Sequence, residues 1–278
     1  LDVVRSVGGD LNTANAAVGS ASITLLLEGL EDYNNNQADD TTWYFAGKNP
    51  GHWAEDIKVA IIDNAADQII TPTYEGSDSV SDLKIGFGVQ QNLTGNTIGV
   101  GTVTAATGVL KGVITGLTAT TIDIKVVSTV IGGTEELVDY QPNTQFEFKT
   151  GSAISFIDNS GSAVASSSTI SSVDWYNSQN ILTSVADGGS DFATVTWRSV
   201  LNKPRTNTYV TQRDGANDAI HVVVIDAGGK ATGEVGTILE KFPNLSKGKD
   251  TVASGSKSIF YKDFLAENSE FIFSGQHV

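Results

Sequence analysis

Three histidines, His52, His221 and His277, are the side chains best suited to move a proton near neutral pH or to hold a transition metal. None lies two or four residues from another, so no local two-histidine metal site is present. The chain has no cysteine, which removes thiolate nucleophiles, thiolate metal ligands and disulfides together. Serine nucleophiles lose their usual partner as well, because no histidine stands in a catalytic context. Two carboxylates come next. Asp63 and Asp226 end the apolar runs IKVAIID (57–63) and IHVVVID (220–226), which match almost position for position. The end of a strand is where α/β enzymes often hold a catalytic carboxylate. Aspartate followed by Asn64, or by Ala227-Gly228-Gly229, is more often a turn opener whose side chain accepts from the next backbone amides.

GFGVQQNLTG and GVGTVTAATG resemble phosphate loops only in their glycines, since neither fits a phosphate-binding pattern and no helix is indicated behind them. The sequons Asn92-Leu93-Thr94 and Asn244-Leu245-Ser246 carry weight only on a secretory route. The stretch RSVLNKPRTNTYVTQR (198–213) is different. It holds Arg198, Lys203, Arg205 and Arg213, four of the 17 basic residues, in a chain of net charge −15. These four are the candidate subunit contact, either a solvated loop or a basic face that docks on an acidic face of an identical subunit. No residue is assigned to catalysis, to a cofactor or to a metal.

The elements that must position these groups follow from composition and periodicity. A chain of 278 residues, 40% hydrophobic and 18% charged, has the composition of a folded protein. Its 29 glycines and its Thr, Ser and Val content lean toward β structure. The acidic balance argues against nucleic acid and anionic membrane as partners. No apolar run reaches the length of a membrane span, Leu1–Asp10 lacks the pattern of a signal peptide, and the absence of methionine points to a processed product or a piece of a longer protein.

LDVVRSV (1–7) reads as a short strand, GGDLNTANAAVGS (8–20) as a flexible connection, and ASITLLLEGLEDYNNN leaves strand and helix in competition. Val59–Ile62 and Val222–Ile225 are continuous apolar runs, expected as two strands of one central sheet covered in part by helices. Between them the period changes to two. SDLKIGFGV, TIDIKVV and TQFEFK alternate, the last through Phe146 and Phe148, and turn-formers such as Gly95-Asn96, Gly132-Gly133 and Pro142-Asn143 separate them. The expected fold is α+β, mainly β: a mixed sheet with flanking helices in 1–66 and 170–278, interrupted by a small antiparallel barrel or sandwich over 67–169. SVDWYNSQNILTSV (172–185) reads as a helix holding Trp175, Ile181 and Leu182. SKSIFYKDFLAENSEFIF predicts a helix through Phe260, Phe264 and Leu265, then a strand at Phe271–Phe273.

FAGKNPGHWAEDIKVAIID (45–63) resembles the Pro-Gly-x-Trp/Leu-Gly-x-x-(Ile/Leu)-x-Val segment of contractile-tail bacteriophage sheath proteins. RTNTYVTQRDGANDAIHVVVIDAGGKATGEVGTILEKFPNLSKGKD with IFYKDFLAENSEFIF is similar to their segment of strand, "vlE.f.nLS" stretch and "yykd.l...S.yi" helix, and LDVVRSVGGD to their "l.VvRav" strand. His52 and Ala54-Glu55 stand where many relatives carry small residues or Gly-Asn, and 67–169 matches only the habit of carrying a variable β-rich insertion. Together these stretches cover about half of the chain. The resemblance implies an outer, protease-resistant portion of a virion protein made in the host cytoplasm. It also implies partners that are identical sheath subunits, with tail tube and baseplate reached through other parts of the parent, and no enzyme activity, cofactor, nucleic acid or membrane. The isolated chain is expected to be a monomer. Two other classes compete: a secreted or surface-layer β-rich adhesin or binding module, and a glycan-active enzyme with paired carboxylates, for which no pair stands out by spacing.

Overall fold

The computed structural model describes residues 3–4, 16–18, 21–23, 27, 29–37, 43–49, 52–93, 97–98, 101–102, 108–140, 146–182, 194–253, 255 and 257–277. It is mostly β and divides into two units, Ala65–Gln179 and the two flanking stretches Leu1–Asn64 and Asn180–Val278. Pro50-Gly51, Gly95-Asn96, Pro142-Asn143 and most of the 8–20 connection lie outside the described residues.

In the flanking unit, the strands Ile57–Asp63, Ala219–Asp226 and Thr237–Ser246 form one antiparallel sheet with Ala219–Asp226 in the centre. The two matched runs therefore pair with each other, Val222 opposite Ile61 and Val224 opposite Val59. All eight residues of the central strand are buried, as an unbroken apolar run requires, whereas Ile57–Asp63, at the edge, buries fully only Ile57, Val59 and Ile62. A second sheet joins Val3–Val4, parallel, and Ile272–Ser274, antiparallel, to Phe45–Gly47. The helix Tyr261–Asn268 buries Tyr261, Leu265 and Ala266. Phe45, Ile57, Val59, Val222, Val224, Leu245, Leu265 and Ile272 share one core, and each contributes roughly 1.5–3 kcal/mol by leaving water. The Lys48 ammonium donates to the carbonyls of Ala266 (2.6 Å) and Ser269 (2.5 Å), closing the C-terminal end of the helix with the charge that its dipole favours.

The inserted unit is a closed six-stranded antiparallel barrel. Its strands run Val109–Leu117, Gly88–Asn92, Ile154–Ile157, Ala163–Asp174, Gln68–Tyr74 and Ile122–Ile131, and Val109–Leu117 pairs with Ile122–Ile131 to close the ring. Closure removes the open edges that a six-stranded sheet would otherwise expose. Thr134–Leu137 extends the sheet outward from Ile122–Ile131. Ile70, Val89, Leu110, Ile114, Ile122, Ile124, Phe148 and Phe156 fill the interior. Gly112 sits at a break in register, where an added Cβ would lie 2.7 Å from the Ile124 side chain and 2.9 Å from the Lys125 carbonyl. Only glycine lets the two strands approach this closely.

Four sequence expectations require correction. The border at 169 cuts the continuous strand Ala163–Asp174, which pairs along Gln68–Tyr74, so the inserted unit runs on to Gln179. Residues 172–182 are not a helix. They complete that strand, turn through the 3-10 segment Tyr176–Ser178 and enter the strand Asn180–Leu182, and the turn is fixed by the Asn177 amide donating to Asp174 Oδ1 at 2.7 Å. SDLKIGFGV is not one strand, because Gly86 at φ +92° breaks the alternation and leaves Ile85 66% exposed. Phe146 and Phe148 lie on no strand. Two glutamine side chains take over the role of a strand partner there: the Gln68 carboxamide accepts from Phe148 N–H (2.7 Å) and donates to its carbonyl (3.2 Å), and Gln91 does the same for Lys149 (2.6 and 3.2 Å).

The backbone N–H of Trp175 donates to the Asp67 carbonyl at 3.0 Å, which holds the two ends of the insertion side by side. Replacing 65–179 with a short Gly-Ser bridge should therefore leave the remainder cooperatively folded, since adjacent ends impose little closure entropy. Loss of a cooperative thermal transition in the deletion protein would refute this.

Candidate functional site

The basic stretch is built on the central sheet. Trp197–Val200 is one turn of helix, capped where the Thr196 hydroxyl accepts from Ser199 N–H at 3.3 Å, and Thr208–Thr211 is a second. Between and after these turns the backbone runs as loop, and three side chains, two in the sheet and one just before its central strand, tie it down.

His221 is the deepest of them, at 1% exposed, inside the central strand. Its Nδ1 accepts from Asn244 N–H at 2.9 Å, so the proton sits on Nε2, which donates to the Asn202 carbonyl at 2.6 Å. The pairing with Thr237–Ser246 skips His221 between Ile220 and Val222, and Asn244, left-handed at φ +54°, turns its amide toward the ring. Burial lowers the His221 pKa below the usual imidazole value, and hydrogen bonding to Asn202 opposes the shift in part. Asp218 is the second anchor. Its oxygens accept from Asn207 N–H (2.9 Å), the Asn207 carboxamide (2.7 Å) and the Ser246 hydroxyl (2.7 Å). Asn244 is the third, its carboxamide oxygen accepting from Arg205 N–H at 3.1 Å.

Anchored in this way, the loop carries exposed cations on a fixed backbone. Arg198 reaches Asn202 Oδ1 (3.2 Å), and Arg213 lies over the Tyr209 ring at 3.5 Å while donating to the Tyr209 carbonyl. Arg205 is exposed and Lys203 half-buried. The four residues share one segment and one set of anchors, and none is buried. Chemically the surface can make ion pairs and hydrogen bonds with carboxylates.

The remaining candidates go to structural tasks. Asp226 is fully buried, and its Oδ2 accepts from Ala231 N–H (3.0 Å), Thr232 N–H (2.7 Å) and the Thr232 hydroxyl (2.8 Å), the turn role favoured from sequence. Asp63 instead pairs with Lys247 at 3.0 Å. His277 packs against Tyr261, with ring centroids 5.4 Å apart. The first glycine-rich segment enters the strand Gly88–Asn92, and the second falls mostly outside the described residues. Among the described residues, no three His, Asp or Glu side chains are placed to hold a metal ion together.

No protein-family model, no curated protein and no solved structure matches this chain.

Sequence reasoning missed the anchors. His221 lies 19 residues from Asn202 and 23 from Asn244, and Asp218 lies 11 from Asn207. The only signal within reach was a histidine among the apolar residues 219–225, which requires a polar partner once buried.

Proposed function

We propose that this chain is part of the structural subunit of a contractile bacteriophage tail sheath, polymerising around the tail tube and shortening to drive it through the host envelope. The observation that carries the reading is that three stretches with the sheath-like wording, 45–63, 205–250 and 259–273, build one core. Phe45, Ile57 and Val59 from the first, Val222, Val224 and Leu245 from the second, and Phe260, Leu265 and Ile272 from the third pack together. Residues that resemble a family in order and spacing are here the ones that determine a single fold unit. In such an assembly the work comes from two lattice arrangements of rigid subunits, with the energy held in subunit contacts and no nucleotide consumed.

Arg198, Lys203, Arg205 and Arg213 are the lateral contact in this reading. An exposed ion pair contributes roughly 0.2–1 kcal/mol. Repeated along a lattice that holds many copies in register, such pairs act together. Electron microscopy of the full-length parent protein should show tubular polymers. The double reversal Arg205→Glu and Arg213→Glu should impair polymerisation while leaving the melting temperature of the present chain unchanged. Absence of tubes would overturn the sheath reading. Normal tubes from the double variant would overturn only the contact. Heat stability that rises with calcium, without tubes, would favour a surface-layer or adhesive module.

A further inference from the structure

The barrel carries a cleft for which the sheath reading has no use. It has a volume of about 660 Å³ and opens to solvent between the 146–150 segment and the end of the strand Ala163–Asp174. Its wall includes Tyr140, Glu147, Lys149, Thr150, Asp174 and Asn177.

The polar groups are arranged in internally compensated pairs. Tyr140 O–H donates to Asp174 Oδ2 at 3.1 Å, while Asp174 Oδ1 accepts from the Asn177 backbone amide at 2.7 Å. Burial, reinforced by the Asp174 charge, pushes the Tyr140 pKa far up, so the phenol stays protonated throughout the accessible pH range. The Lys149 ammonium lies 2.5 Å from Glu147 Oε1. The Thr150 and Ser172 hydroxyls share a hydrogen bond at 3.1 Å. The segment that supplies Glu147, Lys149 and Thr150 is held in place by the clamps from Gln68 and Gln91, so the wall is formed before any ligand arrives.

We propose that this cleft binds a neutral pyranose sugar. The volume lies in the range of small-molecule sites. The wall offers donors, in the Lys149 ammonium and the Asn177 carboxamide, alongside acceptors, in Asp174, Glu147 and the Tyr140 oxygen. Sugar hydroxyls donate and accept at once, and a wall of mixed sign suits them. Two carboxylates against one ammonium disfavour phosphate and other anions. The wall holds too little apolar surface for a lipid chain, Val173 being its aliphatic residue. The inference does not depend on the sheath reading, since it concerns this chain alone.

Saturation-transfer NMR on the whole chain tests it, with glucose, galactose, mannose and N-acetylglucosamine as probes and glucose 6-phosphate as the anionic control. At least one neutral sugar should receive saturation at millimolar concentration, and the phosphate should receive less. Asn177→Ala removes an exposed carboxamide and keeps the backbone bond to Asp174, so the fold is retained. It should weaken binding by about threefold to tenfold, the loss of one hydrogen bond. Tyr140→Phe removes only the hydroxyl and should act in the same direction. The proposal is overturned if no neutral sugar receives saturation, if the phosphate binds better, or if both variants bind like the parent.

Discussion

Replacing Asp67 with alanine should lower the stability of the barrel unit by about 3–5 kcal/mol, the usual consequence of removing one partner from a buried ion pair. Asp67 is 3% exposed and stands just before the strand Gln68–Tyr74. Its Oδ1 lies 3.1 Å from the Lys125 ammonium, and its Oδ2 accepts from Val126 N–H at 2.9 Å. The same residue donates its backbone N–H to the Ile124 carbonyl and accepts from Trp175. One carboxylate thus joins the beginning of the insertion to the strand that closes the barrel. In the alanine variant Val126 N–H loses its acceptor and Lys125 loses the carboxylate beside it. Asp67→Asn keeps an acceptor for Val126 and should cost less. Chemical denaturation followed by barrel fluorescence, where Trp175 is the natural probe, separates the two variants. A loss below about 1 kcal/mol for Asp67→Ala would show that the pair is incidental.

His221→Leu should destabilise the flanking unit by about 2–4 kcal/mol, because two partners lose their hydrogen bonds at once. Leucine fills most of the ring's space but leaves the Asn202 carbonyl and the Asn244 amide without the nitrogens that serve them. The loop that carries Arg205 should become more open to proteolysis, since Asn202 and Asn244 both tether it. Acid should act on the same contact. The folded pKa of His221 is lowered, so between it and the ordinary value of 6.5 the unfolded chain binds more protons than the folded one. This contribution is complete above about pH 6.5 and declines as pH falls through the folded pKa. Protonation would also place a second N–H against the donating amide of Asn244. Melting temperature measured from pH 7.5 down to 5 should fall more steeply for the parent than for His221→Leu. Parallel curves would mean that His221 does not govern the acid limb.

His221 also illustrates how far the sequence reached. Its strand was legible because Val222, Val223, Val224 and Ile225 form an unbroken apolar run, and a run of that kind is stable only with both faces covered. Its function was not, because one partner comes from the loop before the strand and the other from the neighbouring strand Thr237–Ser246, and they meet the ring where the pairing of those two strands is interrupted. The helix Tyr261–Asn268 and the strand Ile122–Ile131 were equally legible, each carrying its period in its own residues.

The failures have one cause. SDLKIGFGV and TQFEFK show the period of a strand, but a strand also needs a neighbour in register, and Gly86 and the two glutamine clamps place these backbones elsewhere. The spacing around Trp175 predicts a helix, yet the carboxylate of Asp174 closes a tight turn there. The basic stretch was visible as four cations in an acidic chain, whereas its fixed position depends on Asp218, His221 and Asn244. By itself the sequence determined the β-rich class, the placing of the two matched runs in one sheet and the existence of an inserted β unit, because local periodicity encodes which faces avoid water. Tertiary structure alone decided that the insertion closes into a barrel, that Tyr140 and Asp174 meet across 34 residues to wall a cleft, and that a histidine serves as a tether. Those outcomes depend on register and on hydrogen bonds between distant residues, and no short window of sequence contains both partners.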